Sequence, residues 1–202
     1  EVDMLLHVAD SMQFKVNTFT HILEGYKMAA KMKAHGVNAS TFSDWWAYKF
    51  EVYDAIPYNA ALLHFAGVNT GINSDDAEMS RRLNQEAAKS VKYGGVSEIE
   101  AWKMVTLNPA RMLKLDHRMG SVEVGKDADL VIWSANPLSI HAQAEQTFVD
   151  GVCYFDLKRD AALRRSSQLE RDRLVRAMII AKKNGAPTNG AKREEQHLWH
   201  CD

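Results

Sequence analysis

The feature that most limits what this chain can fold into is a repeated change of hydrophobic period. Residues 1–12 carry apolar positions at helical spacing, and Phe14 to Phe19 then alternates as a strand would, ending at Thr20-His21. Ile22 to His35 is again helical and stops at Gly36, a glycine suited to the left-handed residue that closes a helix, after which Val37 to Phe42 reads as a strand. A third helix, about Tyr48 to Phe65, ends at Gly67. Val68 to Ile72 follows as a strand, with Asn73-Ser74-Asp75-Asp76 as its polar exit. Parallel neighbours need a long crossover, usually a helix, so this alternation predicts an α/β fold built of parallel β/α units.

Beyond residue 78 the pattern changes. Met79 to Tyr93 is helical until Gly94-Gly95, and Ser97-x-x-Glu100 is a capping-box signal for a helix running toward Leu115. Pro109 inside that stretch marks a kink or the junction of two helices. Strand-like runs then cluster: Val122 and Val124, Leu130 to Trp133, and Thr147 to Val149 with Val152 to Phe155 around Asp150-Gly151. Asp-Gly between apolar runs is a hairpin signal, so a small antiparallel element is expected here. Asp160 is read as the cap of a last helix that ends at Lys182-Lys183, before Asn184-Gly185. The expected organisation is a β/α region over 1–115, a β element over 116–156, a helix over 157–184 and a polar tail over 185–202.

Charge narrows the partners. Lys plus Arg number 25 against 26 Asp plus Glu, which removes the electrostatic case for nucleic acid or an anionic membrane and leaves a small-molecule substrate as the easier expectation. No apolar run approaches the roughly 20 residues of a spanning helix. The two cysteines, Cys153 and Cys201, form no disulfide framework and leave the redox compartment undecided, and localisation stays open between the cytoplasm and, with a signal peptide upstream, the periplasm or the exterior.

Two residues stand where a β/α architecture gathers its chemistry. His21 and Asp75 each lie just past the carboxyl end of an expected strand, the edge that carries catalytic groups in a parallel β/α barrel. A neutral imidazole and a carboxylate are ligand types that zinc and similar cations accept. On spacing alone the blander reading, a strand-end histidine and an aspartate capping the next helix, is the favoured one.

The surrounding words add a resemblance. Thr20 to Lys27 (THILEGYK), Ala39 to Trp46 (ASTFSDWW) and Asn73-Ser74-Asp75 resemble the last three strand ends of amidohydrolase-superfamily barrels, nearest the imidazolonepropionase-like and prolidase-like branches. Thr106 to Leu113 (TLNPARML) and Gly120 to Trp133 (GSVEVGKDADLVIW) resemble the helix after that barrel and its return into a β-sandwich, and Val149-Asp150-Gly151 the hairpin that closes it. The resemblance implies the C-terminal part, about three β/α units, of a TIM-type (β/α)8 barrel, followed by part of a composite β-sandwich and a C-terminal helix. It implies His21 as a metal ligand or substrate-polarising group. It implies Asp75 as both a metal ligand and the group that moves a proton between attacking water and leaving group, with a divalent cation, zinc first, as one or two ions in the full-length protein. Ser43, Asp44, Trp45 and Trp46, in the loop after the second of these strands, become candidates to bind substrate.

Blander readings attach to the remaining candidates. Asp76 reads as a helix N-terminal charge, and Glu24 as a first-turn carboxylate that could otherwise support His21. His7, His35, His64, His117 and His141 read as surface or packing residues. His197, His200 and Cys201 have metal-friendly side chains but read as incidental composition of the tail.

The family's H-x-H pair of the first strand, the bridging residue of the fourth and the histidine of the fifth have no counterpart here. The expectation is therefore a fragment of a hydrolase acting on C–N bonds, inactive alone and completed by an N-terminal barrel half or another chain, with a homo-oligomer left open. A non-catalytic binding or assembly module is the alternative, and isomerisation or decarboxylation within the same superfamily stays open.

Overall fold

The computed structural model describes residues 1–187, so His197, His200 and Cys201 lie outside the described residues. The chain forms two compact units, one spanning Glu1–Phe155 and the other starting at Asp156.

The first unit opens with α1 (Val2–Ser11), then β1 (Thr18–Phe19), α2 (Ala29–His35), β2 (Asn38–Thr41), α3 (Asn59–Phe65) and β3 (Thr70–Ile72). The three strands form one parallel sheet in the order β1-β2-β3, with Phe19 opposite Ala39 and Ala39 opposite Thr70. The expected alternation of helix and strand is present, with shorter elements. β1 does not begin at Phe14: that residue's N–H closes the end of α1 on Ala9 O, and the Val16 N–H goes to the ring of His35 rather than into a ladder. The expected helix over Tyr48 to Phe65 is only a 3₁₀ turn at Phe50–Val52 followed by α3. Pro57 disfavours helical backbone at Ile56, and the carbonyls of Tyr53 and Asp54 accept side-chain donors from Trp46 and Tyr26 instead of helical N–H groups. Gly36 and Gly67 close their helices with φ of 84° and 83°, left-handed values that a Cβ would strain.

Helices pack against this sheet. Leu6, Met32, Val37, Ala39, Leu63 and Val68 form one buried cluster, and Ala60, Ala61, Ile72, Val96, Ala101 and Met104 a second. The second depends on α4 (Leu83–Gly94), preceded by a 3₁₀ turn at Met79–Arg82, and on α5 (Glu98–Lys103). Ser97 caps α5 by accepting the Glu100 N–H, as the sequence signal predicts. α6 (Leu107–Met112) follows as a separate helix, with Pro109 in its first turn, where the missing N–H has no intrahelical partner to lose.

β4 (Leu130–Trp133), β5 (Ala144–Val149) and β6 (Val152–Asp156) form a second sheet in that order, with β4 and β5 antiparallel and Leu130 opposite Phe148. Asp150 and Gly151, at φ 49° and 76°, make the expected two-residue turn between β5 and β6. Val122 and Val124 are not in a strand; both are exposed in the loop before β4.

The second unit is α7 (Leu157–Lys183). Its cap is Asp156, which accepts the Arg159 N–H; Asp160 is already inside the first turn, where it pairs with Arg164. Among the described residues no helix is long and apolar enough to cross a membrane.

Candidate active site

Because the three strands of the first sheet run parallel, their carboxyl ends share one rim. Asp75 follows β3 there, Phe42 follows β2 and His21 follows β1. His21 takes φ 53°, a left-handed conformation that is uncommon without glycine and that histidine tolerates better than branched residues. In that conformation its Nε2 meets Asp75 Oδ2 at 2.8 Å, with both side chains about half exposed. The imidazole face lies against Phe42, ring centroids 5.4 Å apart, and Phe42 stacks in turn on Trp45 at 4.4 Å.

The middle strand holds both arms of this pair. Ser40 O accepts the Ile22 N–H, next to His21, while Ser40 Oγ donates to Asn73 Oδ1 at 2.6 Å, two residues before Asp75. Thr41 O accepts the Asn73 N–H, and Thr41 Oγ1 accepts from Asn59. Residues 40 and 41 thus bind the His21 arm on one side and the Asp75 arm on the other, which fixes the separation of the two functional groups.

The other candidates are placed around the pair rather than in it. Asp76 turns its carboxylate back to accept the Glu78 and Met79 N–H groups at 2.9 Å each, a capping role. Ser43 is buried and donates to Glu86, and Asp44 pairs with Lys89 at 2.7 Å, so the hydrogen bonds of both run to α4. Burial lowers the Lys89 pKa, but the hydrogen bonds it donates to Asp44 and Glu86 outweigh it and hold the ammonium above its ordinary value. Trp45 lies beside Phe42 with its indole N–H toward the sulfur of Met79, and Trp46 is half exposed and donates to Tyr53 O. Glu24 pairs with Lys27, which also takes Asp54. His35 is a packing residue: its ring accepts the Val16 N–H and meets Asp10 at 2.8 Å.

Sequence reasoning missed Asn59, Glu86 and Lys89. Glu86 and Lys89 had a faint signal, a charged pair at i,i+3 on the face where Ala87 and Ser90 are buried. Asn59 had only its position, a polar residue opening the run Ala60-Ala61-Leu62-Leu63.

Does this donor set suit a metal? An imidazole nitrogen and a carboxylate oxygen in contact, both reachable from solvent, are two appropriate donors. Among the described residues no three His, Cys, Asp or Glu side chains are grouped to hold an ion. A catalytic zinc takes three protein ligands, so the pair fits as part of a site and not as a whole one.

Amidohydrolase-family proteins match this chain over residues 54–160, just over half of its 202 residues. The chain belongs to the amidohydrolase family. Amidohydrolase tasK of Hapsidospora irregularis is 26% identical over 161 residues, which are 77% of this chain and 16% of that protein. The imidazolonepropionase of Picrophilus torridus is 40% identical over 67 residues, 32% of this chain and 17% of that enzyme. The crystal structure of an amidohydrolase from Thermotoga maritima MSB8 superposes with a TM-score of 0.70 at 29% identity, covering 77% of this chain and 40% of that one. This amidohydrolase-family chain therefore spans less than half the length of each of these relatives, and its α/β fold is that of the superfamily.

Proposed function

We propose that this chain is the C-terminal part of a (β/α)8-barrel hydrolase that cleaves a C–N bond in a cyclic amide, a dipeptide or an acyl amino acid. The observation that carries this reading is the 2.8 Å contact between His21 and Asp75 at the common rim of three parallel strands. Family membership favours it over a non-catalytic module. β1 and β3 are the outer strands of the sheet, and further strands along their free edges, from another stretch of polypeptide, would close the barrel and bring the remaining donors.

His21 and Asp75 would hold a divalent cation, zinc in the first place, together with those donors. When bound, the cation supplies Lewis acidity that polarises the scissile carbonyl and makes water more acidic. Asp75 is the proton carrier: its carboxylate takes a proton from the attacking water and delivers it to the departing nitrogen. His21 orients that carboxylate, and its stacking on Phe42 fixes the plane of the imidazole. Trp45, next in the row, would form an apolar wall for the substrate, with Ser43 and Asp44 holding the loop that carries it.

The test is an amide-hydrolysis assay on the 202-residue chain and on a complete polypeptide that includes the other strands, each supplied with zinc or manganese. Turnover is expected only from the complete polypeptide. Turnover by the isolated chain would overturn the division of the site, and a fully loaded complete protein inert toward every amide class would overturn the hydrolase reading.

A further inference from the structure

The left-handed backbone of His21 is a conformation that a residue with a Cβ keeps only when its surroundings over-determine it. The surroundings here converge on the next residue. The N–H of Ile22 donates to Ser40 O at 3.1 Å, and its carbonyl accepts from Asn59 Nδ2 at 2.8 Å, so the residue after His21 is held through the peptide groups on both of its sides.

Asn59 is the first residue of α3 and is 2% exposed. Its second amide hydrogen goes to Thr41 Oγ1 at 3.0 Å, and its Oδ1 accepts the Tyr26 N–H at 2.9 Å. One buried amide thus ties the turn after β1 to the end of β2 and to the start of α3. Gly25 makes the close approach feasible, since a Cβ there would stand 3.1 Å from Leu63 of α3.

We infer that Asn59 is the positioning residue of the site, holding the carbonyl of Ile22 so that His21 stays left-handed and its Nε2 stays on Asp75. This rests on the role proposed above for the pair. Its bonds go to neither His21's ring nor Asp75; it acts through the Ile22–Leu23 peptide, one residue beyond His21. An amide is required because the position asks for two donors and one acceptor at once, which aspartate and leucine cannot supply.

The experiment reads the His21 ring proton by long-range ¹H–¹⁵N correlation in the full chain. The unsubstituted protein is expected to show an Nε2–H signal shifted downfield by its contact with Asp75, absent in Asp75→Ala. Asn59→Asp keeps the acceptor for Tyr26 and removes both donors; it should abolish the downfield signal while the backbone amide spectrum of α1 and α2 is retained. Asn59→Ala should do the same without adding a charge, and Thr41→Val, which leaves the Ile22 bond intact, should preserve the signal. A downfield signal that survives in folded Asn59→Asp or Asn59→Ala overturns the inference. So does failure of both variants to fold, because Asn59 would then be holding the core rather than the imidazole. The ring signal does not depend on turnover, so a chain that hydrolyses nothing leaves this inference standing and defeats only the proposed function.

Discussion

The imidazole of His21 and the carboxylate of Asp75 meet at 2.8 Å across the end of β2, a strand to which neither residue belongs. They follow the two outer strands of a three-stranded sheet, and their side chains meet past the middle one. Strands in a sheet lie about 4.8 Å apart, so first and third are separated by nearly 10 Å, and only side chains directed toward each other close that gap. The pair is therefore a product of direction, set by the backbone turn at His21 and by the Ser40 and Thr41 contacts to Asn73.

Adjacent carboxylates give the sharpest functional contrast. In the complete protein, Asp75→Asn is expected to lower kcat on the order of 10²- to 10⁴-fold, the usual worth of a positioned proton carrier. Asp76→Asn keeps an oxygen to accept the Glu78 and Met79 N–H groups and should leave kcat within about twofold. Steady-state kinetics on the two variants checks this, and equal losses would remove the special role of Asp75.

Glu86 is a buried charge, its side chain 4% exposed, with Lys89 as its cationic partner. Replacing Lys89 by Met strands that carboxylate and should cost about 3 kcal/mol in urea unfolding. The pH dependence follows from the raised Lys89 pKa. A lysine raised in the folded state contributes its full stability below the unfolded value of about 10.4 and loses it as pH climbs through the folded one. The thermal midpoint of the unsubstituted chain should therefore fall above roughly pH 10 more steeply than that of Lys89→Met.

Two neighbouring glycines should fail for different reasons. A Cβ on Gly94 would stand 2.1 Å from the Cβ of Ala61, so Gly94→Ala must push α3 and α4 apart at an expected cost of about 3 kcal/mol. Gly95 has open space around it but φ of 69°, and Gly95→Ala should cost only about 1 kcal/mol of backbone strain. Adding Ala61→Gly should rescue the first variant and not the second, which unfolding curves of the double variants will show.

Histidines in this chain should separate cleanly by burial. His35→Leu leaves the Val16 N–H without its ring acceptor and is expected to cost about 2 kcal/mol. His7, whose side chain is 73% exposed, should tolerate leucine within about 0.5 kcal/mol. Chemical denaturation of both variants distinguishes a packing histidine from a surface one.

Much of the architecture was legible because it is written locally. Gly36 and Gly67 close helices, Ser97 caps one, Pro109 marks the junction of two, and Asp150-Gly151 turns a hairpin; each works within a few residues of itself. Where local signals compete, reading along the chain went astray. Tyr48 to Phe65 has helical spacing, but Pro57 and carbonyls claimed by side chains confine the helix to its last third. Asp160 and Asp156 are equally good caps by type, and only the backbone, extended at Asp156, decides between them.

By itself the sequence determined that helices and strands alternate, that the strands run parallel, and hence that His21 and Asp75 emerge at the same rim. Their contact, the clamp of Asn59 on the turn after His21, and the commitment of Ser43 and Asp44 to Glu86 and Lys89 were decided by tertiary structure alone. The physical reason is range. Caps and turns spend hydrogen bonds on near neighbours, so residue type reveals them, whereas a buried amide or carboxylate finds partners wherever packing brings a complementary group within 3 Å, and nothing in a linear pattern records that distance.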